Sequence, residues 1–425
     1  MRKRHPGYKD SDIEWLREIP EHWQLMRVKN LMSNPVIRSN GSSLPFIALE
    51  DIESNTGDTI PSFVWEEKTI EDAEIFMPGD VLFTKLRPYL RKYILADRKG
   101  CCQTELLVLH PISDLYLPAY LYYAIQTHYF ISLADSTSYG VKMPRTSWDK
   151  LNQHCLQVPS IDEQQEIIDF LYKAKIKINT LIAKKEKQIE LLKEKRAAVI
   201  TRAVTKGLDP NVPMKDSGVE WLGEIPVHWE AKKIKRLTAV KRGASPRPID
   251  DPKYFDIDGE FAWVRISDVS ASDKYLESTE QQLSSLGSSL SIKQNPGDLF
   301  LSIAATVGKP IISKIKCCIH DGFVWFPNLK LNREYLYYMF ETGSPFHGLG
   351  KLGTQLNLNT DTIGDIFIPL PPTSEIEAIV KYISTEAMRI DLVISKIKSS
   401  IDKLKEYRTA LISAAVTGKI DVRGE

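Results

Sequence analysis

Between residues 161 and 205 the apolar positions Ile167, Leu171, Ala174, Ile178, Ile182, Ile189, Leu192, Val199 and Ala203 fall on helical steps, with Lys185 and Arg196 interrupting the stripe. That period places them on one face of a helix. Asp162 and Glu163 follow Pro159 at its start, where acids suit the positive end of the helix dipole, and Gly207 with Pro210 stops it. Ile379, Ile383, Ile390, Ile394, Ile397, Ile401, Leu404, Leu411 and Ala415 draw the same stripe again, with Arg408 in the place of Arg196. Both stretches predict helices of about 45 residues, roughly 65 Å long at 1.5 Å per residue. A single apolar stripe is not stable in water, so the two are expected to pair as an intramolecular coiled coil. The first must run from one globular unit to the next and the second must return, which makes the pairing antiparallel and the whole ring-like and pseudo-twofold.

Ahead of each helix the pattern shortens. "DVLFT", "KYILA", "ELLVLH", "DLFLSI", "KPIIS" and "FVWF" are β-type runs punctuated by Gly and Pro, and "LPAYLYYAIQT" and "NREYLYYMFET" read as short helices packed on them. Residues 24–158 and 230–370 are therefore expected to be two α+β units built around irregular sheets.

The pattern is stated twice because the chain is an internal duplication. Residues 9–23, "KDSDIEWLREIPEHW", match 215–229, "KDSGVEWLGEIPVHW", at 11 of 15 positions without a gap. Residues 159–209 match 371–421 at 17 of 51 positions, "AVT" at 203–205 and 415–417 included. A repeat of about 210 residues is a duplicated multidomain unit, far beyond the period of a solenoid. Elsewhere only "PGD", "CC" and "YLYY" recur, at 78–80, 101–102 and 120–123 and again at 296–298, 317–318 and 335–338. The frame is kept and the surfaces diverge. The repeated "EWL-EIP-HW" sentence reads as a docking segment joining each globular unit to a helix end. The division that follows is 1–158, docking segment and first unit; 159–209, first spacer helix; 210–370, docking segment and second unit; 371–425, second spacer helix and tail.

Composition changes this picture little. The 425 residues hold 56 Lys plus Arg against 55 Asp plus Glu, so any surface for an anionic partner must be a local patch. No apolar run approaches the length of a membrane span and no apolar stretch follows the basic start "MRKRHPGYKDSD", so a cytoplasmic protein is expected, with no membrane partner. Cys101, Cys102, Cys155, Cys317 and Cys318 have neither disulfide-framework nor zinc spacing and read as small buried hydrophobes.

Catalytic signatures are missing: no phosphate-binding loop, no G-x-G-x-x-G after a strand, no H-E-x-x-H, no G-x-S-x-G. "DPKY" at 251–254 is only a chance approach to an amino-methyltransferase motif, and His22 and His228 suit packing and hydrogen bonding better than general base work. No catalytic and no metal-binding residue is assigned. The diverged units do carry Lys and Arg among Gly, Pro, Ser and Tyr in loop-like stretches, where guanidinium forks and amides can reach base edges and ammonium groups can reach phosphates. In the first unit these are Lys85, Arg87, Arg91 and Lys92, then Ser138, Tyr139, Lys142 and Arg145; in the second they are Lys241, Arg242, Arg247 and Lys309, then Lys351, Thr354, Gln355 and Asn357. On the helix tails "AAVITRAV" and "TALISAAV", Val199, Ile200, Val204, Leu411, Ile412 and Val416 form an apolar face for docking partner helices, or for burial within the helix pair alone.

"DSGVEWLGEIPVHWE", "LPPTSEIEAIV" and "LISAAVTGKIDVR" resemble the conserved segments of the type I restriction-modification specificity subunit, and the order unit, helix, unit, helix is that family's layout along the whole chain. The resemblance implies a non-catalytic subunit whose two target-recognition domains each read one half of a split, asymmetric site in double-stranded DNA, the paired helices being the spacer. It implies two modification subunits, carrying S-adenosylmethionine and methylating adenine N6, and restriction subunits using ATP and Mg, with no cofactor in this chain. Reading two segments from one side of a duplex favours separations near one turn, about 34 Å, so each unit must pack along a helix end instead of beyond it. The rival readings are a free-standing DNA-modifying enzyme and a protein-binding coiled-coil scaffold. In DNA-binding titrations Lys85→Ala or Lys309→Ala is expected to weaken binding evenly across sequences, and Arg145→Ala or Gln355→Ala to relax one base position.

Overall fold

The structure is a computed structural model that describes residues 4–13, 16–112, 114–347, 349 and 358–423. The long stripes form the helices Ile161–Lys206 and Thr373–Val416, with Asp162 and Glu163 in the first turn of one and Glu375 in the first turn of the other. Compactness divides the chain inside both helices: one unit is Met1–Glu186 with Lys398–Glu425, the other Lys187–Ile397. Each unit thus contains part of each helix, whereas the division read from the sequence sets each helix apart as a segment of its own.

In the first unit Ile167 and Leu171, near the start of the first long helix, share a core with Leu411, Ile412, Ala415 and Val416 at the end of the second. In the second unit Ile200, Ala203 and Val204 share a core with Ile376, Ile379 and Ile383. Start lies beside end in each, so the helices are antiparallel within each unit, as topology predicts. The two arginines that break the stripes are partnered: Arg408 donates to Asn179 Oδ1 at 2.8 Å and to the Asn55 carbonyl, and Arg196 lies 3.1 Å from Glu341 and 3.3 Å from Asp391.

The α+β expectation holds, and the duplication extends into the diverged regions. The first unit has a four-stranded sheet in the order Glu66–Thr69, Ser43–Ile47, Gly100–Cys102, Glu74–Phe76. The second repeats the order with Gln281–Leu283, Phe261–Val264, Cys317–Ile319 and Ile292–Gln294. In both, the strand carrying the cysteine pair runs parallel to its neighbour, Cys102 opposite Ile47 and Cys318 opposite Trp263. All four of these cysteines are buried and reduced. A second sheet in each unit is built on the hairpins Val81–Thr84 with Tyr93–Leu95 and Leu299–Ser302 with Pro310–Ser313. Antiparallel ladders, Gln24–Arg27 with Cys155–Val158 and Glu230–Lys233 with Phe367–Leu370, tie the start of each unit to its end just before a long helix begins.

The repeated docking sentence is a short hairpin, Tyr8–Asp10 with Glu18–Pro20 and Met214–Asp216 with Glu224–Pro226. Its tryptophan, fully buried in both copies, donates its indole N–H to the first-turn glutamate of a long helix: Trp23 to Glu163 and Trp229 to Glu375, each at 2.9 Å. The neighbouring imidazoles complete the clip, His22 Nε2 at 2.9 Å from Glu163 and His228 Nε2 at 2.7 Å from Glu375. The same tryptophans pack on the glycines that end the helices. Gly418 has φ +71°, and a Cβ there would overlap Pro20; Gly207 has φ +76° and faces Trp229.

The repeated "YLYY" has a physical reason as well. Helix ends leave carbonyls without intrahelical partners, and buried ones must be met by another donor. The buried Tyr120 hydroxyl donates to the Val416 carbonyl at 3.0 Å, and Tyr335 stands 3.0 Å from the Val204 carbonyl and 3.2 Å from that of Pro369. Val416 also accepts from Gln157 Nε2 at 3.0 Å. Tyr335→Phe is therefore expected to cost about 1–2 kcal/mol, and Tyr120→Phe distinctly less because Gln157 still serves that carbonyl. Urea unfolding of the two variants checks the order.

Candidate nucleic-acid interface

In the first unit the hairpin between strands Val81–Thr84 and Tyr93–Leu95 ends in the loop Lys85–Lys92, and residues 137–147 form a second loop. A short antiparallel bridge joins them: Arg87 N–H donates to the Pro144 carbonyl at 2.7 Å, Thr146 N–H to that of Lys85 at 2.9 Å, and Leu86 pairs with Arg145. Two basic clusters some fifty residues apart in sequence become one surface. Residues 139 and 145 close a tight loop through two mutual backbone hydrogen bonds of 3.0 and 2.9 Å. At its tip Tyr139 is 62% and Val141 fully exposed, flanked by Lys142 and Met143, and Tyr89 and Leu90 are exposed on the neighbouring loop. Tyr89, Val141 and Met143 were not singled out in the sequence; their position between Gly140 and Pro144, or beside Pro88, is the signal that marks them as loop residues.

The proposed contact residues differ in what their side chains already hold. Lys85 Nζ is 2.7 Å from the Thr104 carbonyl and 3.2 Å from the buried Glu74 carboxylate, so this ammonium braces the interior, while its side chain stays 22% exposed. Lys92 donates to the Leu49 carbonyl at 2.8 Å. Ser138 bonds the Ala134 carbonyl, and Arg91 lends its carbonyl to Asn55 N–H. Arg145 pairs with Glu105 at 2.6 Å and stays 43% exposed. Arg87 and Lys142 are exposed, joined by one long contact from the Arg87 guanidinium to the Lys142 carbonyl.

The second unit shares the hairpin loop, at 303–309, and sets a basic segment from its own start beside it. Lys241 and Arg242 are exposed on an edge strand paired with Phe323–Trp325. Arg242 donates to the Asp321 carbonyl at 2.5 Å; Arg247, 71% exposed, and Ser245 both reach the Asp321 carboxylate at 3.0 Å. Partial burial works against the charge on Asp321, yet the Ser245 hydroxyl and Arg247 hold its carboxyl below the ordinary range. Burial depresses the adjacent His320, though Asp321 opposes this. The hairpin loop carrying Lys309 joins the same surface, since Ile303 N–H donates to the Gly322 carbonyl at 2.8 Å. Lys309 itself donates to the Ser270 and Ser272 carbonyls at 3.1 and 2.5 Å, at the end of helix Ile266–Ala271, where a cation suits the negative pole. Like Lys85, it braces its own loop from within. Lys351, Thr354, Gln355 and Asn357 lie outside the described residues.

The apolar tail face is also placed. Ile200 and Val204 are buried in one unit's core, and Leu411, Ile412 and Val416 in the other's, with Val199 half-buried. These side chains are covered by their own chain, which favours burial over partner docking for this face. Among the described residues no helix is long and apolar enough to cross a membrane.

Two similar α+β units with diverged loops, each packed on the ends of long antiparallel helices, define a duplicated recognition module. The chain belongs to the family described as type I restriction modification DNA specificity domain, which it matches over residues 27–191 and 226–403. It is 21% identical over 440 residues to the type I restriction enzyme MjaVIII specificity subunit of Methanocaldococcus jannaschii, covering 98% of this chain and 97% of that one. It is 25% identical over 160 residues to the EcoDI specificity subunit of Escherichia coli, covering 36% of this chain and 35% of that one. Its fold is similar to a chain solved in work on complex assembly and conformational transition of the type I R-M system, with TM-score 0.73 at 18% identity over 94% of this chain and 98% of that one. It also resembles the HsdS subunit from Thermoanaerobacter tengcongensis, with TM-score 0.53 at 17% identity over 95% and 98%.

Lys85→Ala strips the buried Glu74 of its nearest cation and is expected to cost on the order of 2 kcal/mol in urea unfolding. Lys142→Ala, at an exposed loop tip, is expected to leave the unfolding curve unchanged. Equal curves for the two would contradict the interior role of Lys85.

Proposed function

We propose that this chain is the non-catalytic, sequence-reading subunit of a type I restriction-modification complex, and that its two units each read one half of a split, asymmetric DNA site. The observation that carries this reading is that both units keep the strand order of the four-stranded sheet and a loop on the same hairpin, 85–92 and 303–309, while the loop residues differ, which suits two readers of different sequences on one frame. Arg87, Tyr139, Lys142 and Arg145 in the first unit, and Lys241, Arg242 and Arg247 in the second, offer guanidinium, ammonium and phenol groups to a polyanion. The paired helices act as the spacer that sets the gap. Two modification subunits supply S-adenosylmethionine and adenine-N6 methyl transfer, and restriction subunits supply ATP- and Mg-dependent steps; the family's specificity subunits support this division of labour, and a cytoplasmic site of action follows from it. The scaffold and free-standing enzyme readings have no observation of their own to favour them.

The test is sequencing of methylated adenines in cells that carry this chain and an active modification partner. Exchange of residues 24–158 for those of a relative is expected to change one half of the methylated motif and leave the other. A change in both halves, or none, with the partner shown to be active, overturns the assignment of one reader to each unit.

A further inference from the structure

The second copy of the docking clip is a plain pair of hydrogen bonds: His228 and Trp229 each take one oxygen of Glu375, which is 40% exposed. The first copy has more. His5, whose ring is only 2% exposed, stands over the clip with its Nδ1 3.9 Å from Glu163 Oε1 and 3.9 Å from Asp421 Oδ2. The position of His5 at the repeat offset of 206 is occupied by Asn211, so the third imidazole belongs to one half alone.

Glu163 is 5% exposed, and both hydrogen bonds it receives, from Trp23 and His22, fall on Oε2. Its Oε1 is buried without a hydrogen-bond partner among the described residues. A carboxylate oxygen left unpaired in a dry site is costly, and such an orphan calls for a ligand. His5, His22 and Glu163 each offer one ligand atom, and these lie within 4.8 Å of one another. Distances of 3.9 Å are too long for hydrogen bonds. They are on the scale of donors around a shared ion, since atoms about 2.1 Å from a tetrahedral zinc sit roughly 3.4 Å apart.

We propose that His5, His22 and Glu163 bind one divalent transition-metal ion of the zinc type. Two imidazoles and a carboxylate match zinc and not magnesium or calcium, which take oxygen ligands. Charge favours it: Glu163 and Asp421 are two carboxylates against the single Arg423 guanidinium, which is paired with Asp421 at 2.8 Å. Arg423 also stands 3.4 Å from His5 Nδ1 and must yield if that nitrogen is the ligand. The ion would join three segments distant in sequence: the residues before the docking hairpin, the hairpin's own end, and the first turn of a long helix. Asp421, beyond the other helix, lies 3.9 Å from His5 Nδ1 and is held by Arg423. This role is separate from DNA reading and does not rest on it.

The experiment uses the tag-free full chain, dialysed against chelator and titrated with zinc by calorimetry and with cobalt by visible absorption. One ion per chain is expected, with a tetrahedral cobalt spectrum and a raised melting temperature. His5→Ala is expected to lower affinity at least about tenfold, and His228→Ala to leave it unchanged. Glu163→Gln can also loosen the Trp23 clip, so His5→Ala, which leaves that clip whole, is the deciding variant, with its fold checked by circular dichroism. No saturable uptake by the folded chain, uptake indifferent to His5→Ala, or uptake lost with His228→Ala would each overturn the proposal.

Discussion

An apolar stripe some forty residues long is unstable unless something covers it, and this chain covers each stripe with parts of the other and with a globular core. That constraint organises the rest. Because the helices are antiparallel within each unit, a unit must collect the start of one helix and the end of the other, and the first unit is assembled from segments at both ends of the chain. Tyr120, Trp23 and Gly418 on one side, and Tyr335, Trp229 and Gly207 on the other, are what makes a helix end acceptable inside a core: a hydroxyl for a stranded carbonyl, an indole over a glycine without a side chain, and a first-turn glutamate to receive the indole N–H.

Holding the helix ends so firmly leaves the opposite requirement to the loops. Sequence readers must vary without disturbing the frame, and the loops at 85–92 and 137–147, like those at 240–248 and 303–309, hang from hairpins and edges whose backbone hydrogen bonds do not depend on side-chain identity. Loops on a rigid scaffold tolerate such change at low cost to stability. The basic residues within them then separate into two kinds. Lys85, Lys92 and Lys309 brace the loops from within, and Arg87, Lys142, Lys241 and Arg247 project from them.

Much was legible in the amino-acid pattern. The helices, their pairing, the α+β units and the duplication follow from periodicities of 3.6 and 2 and from self-comparison, since those signals depend on which positions are apolar and little else. The matching fragments "YLYY" and "CC" mark positions held in both halves, the first for a helix-end carbonyl and the second for a buried strand parallel to its neighbour. The short docking hairpins, at three residues per strand, were not visible, because runs so short carry no period.

The loops mark where such reading stops. A lysine in a loop is written the same way whether its ammonium meets water or a buried carboxylate, and only the fold brought Glu74 under Lys85, the Ser270 and Ser272 carbonyls under Lys309, and the chain's own cores over Val204 and Val416. The grouping of His5 with His22 and Glu163 is of the same kind, since it joins residues from three places along the chain. Periodic burial is a one-dimensional property and is carried by residue order; the partner of a polar group is set by which distant segments meet, and that is settled when the chain has folded.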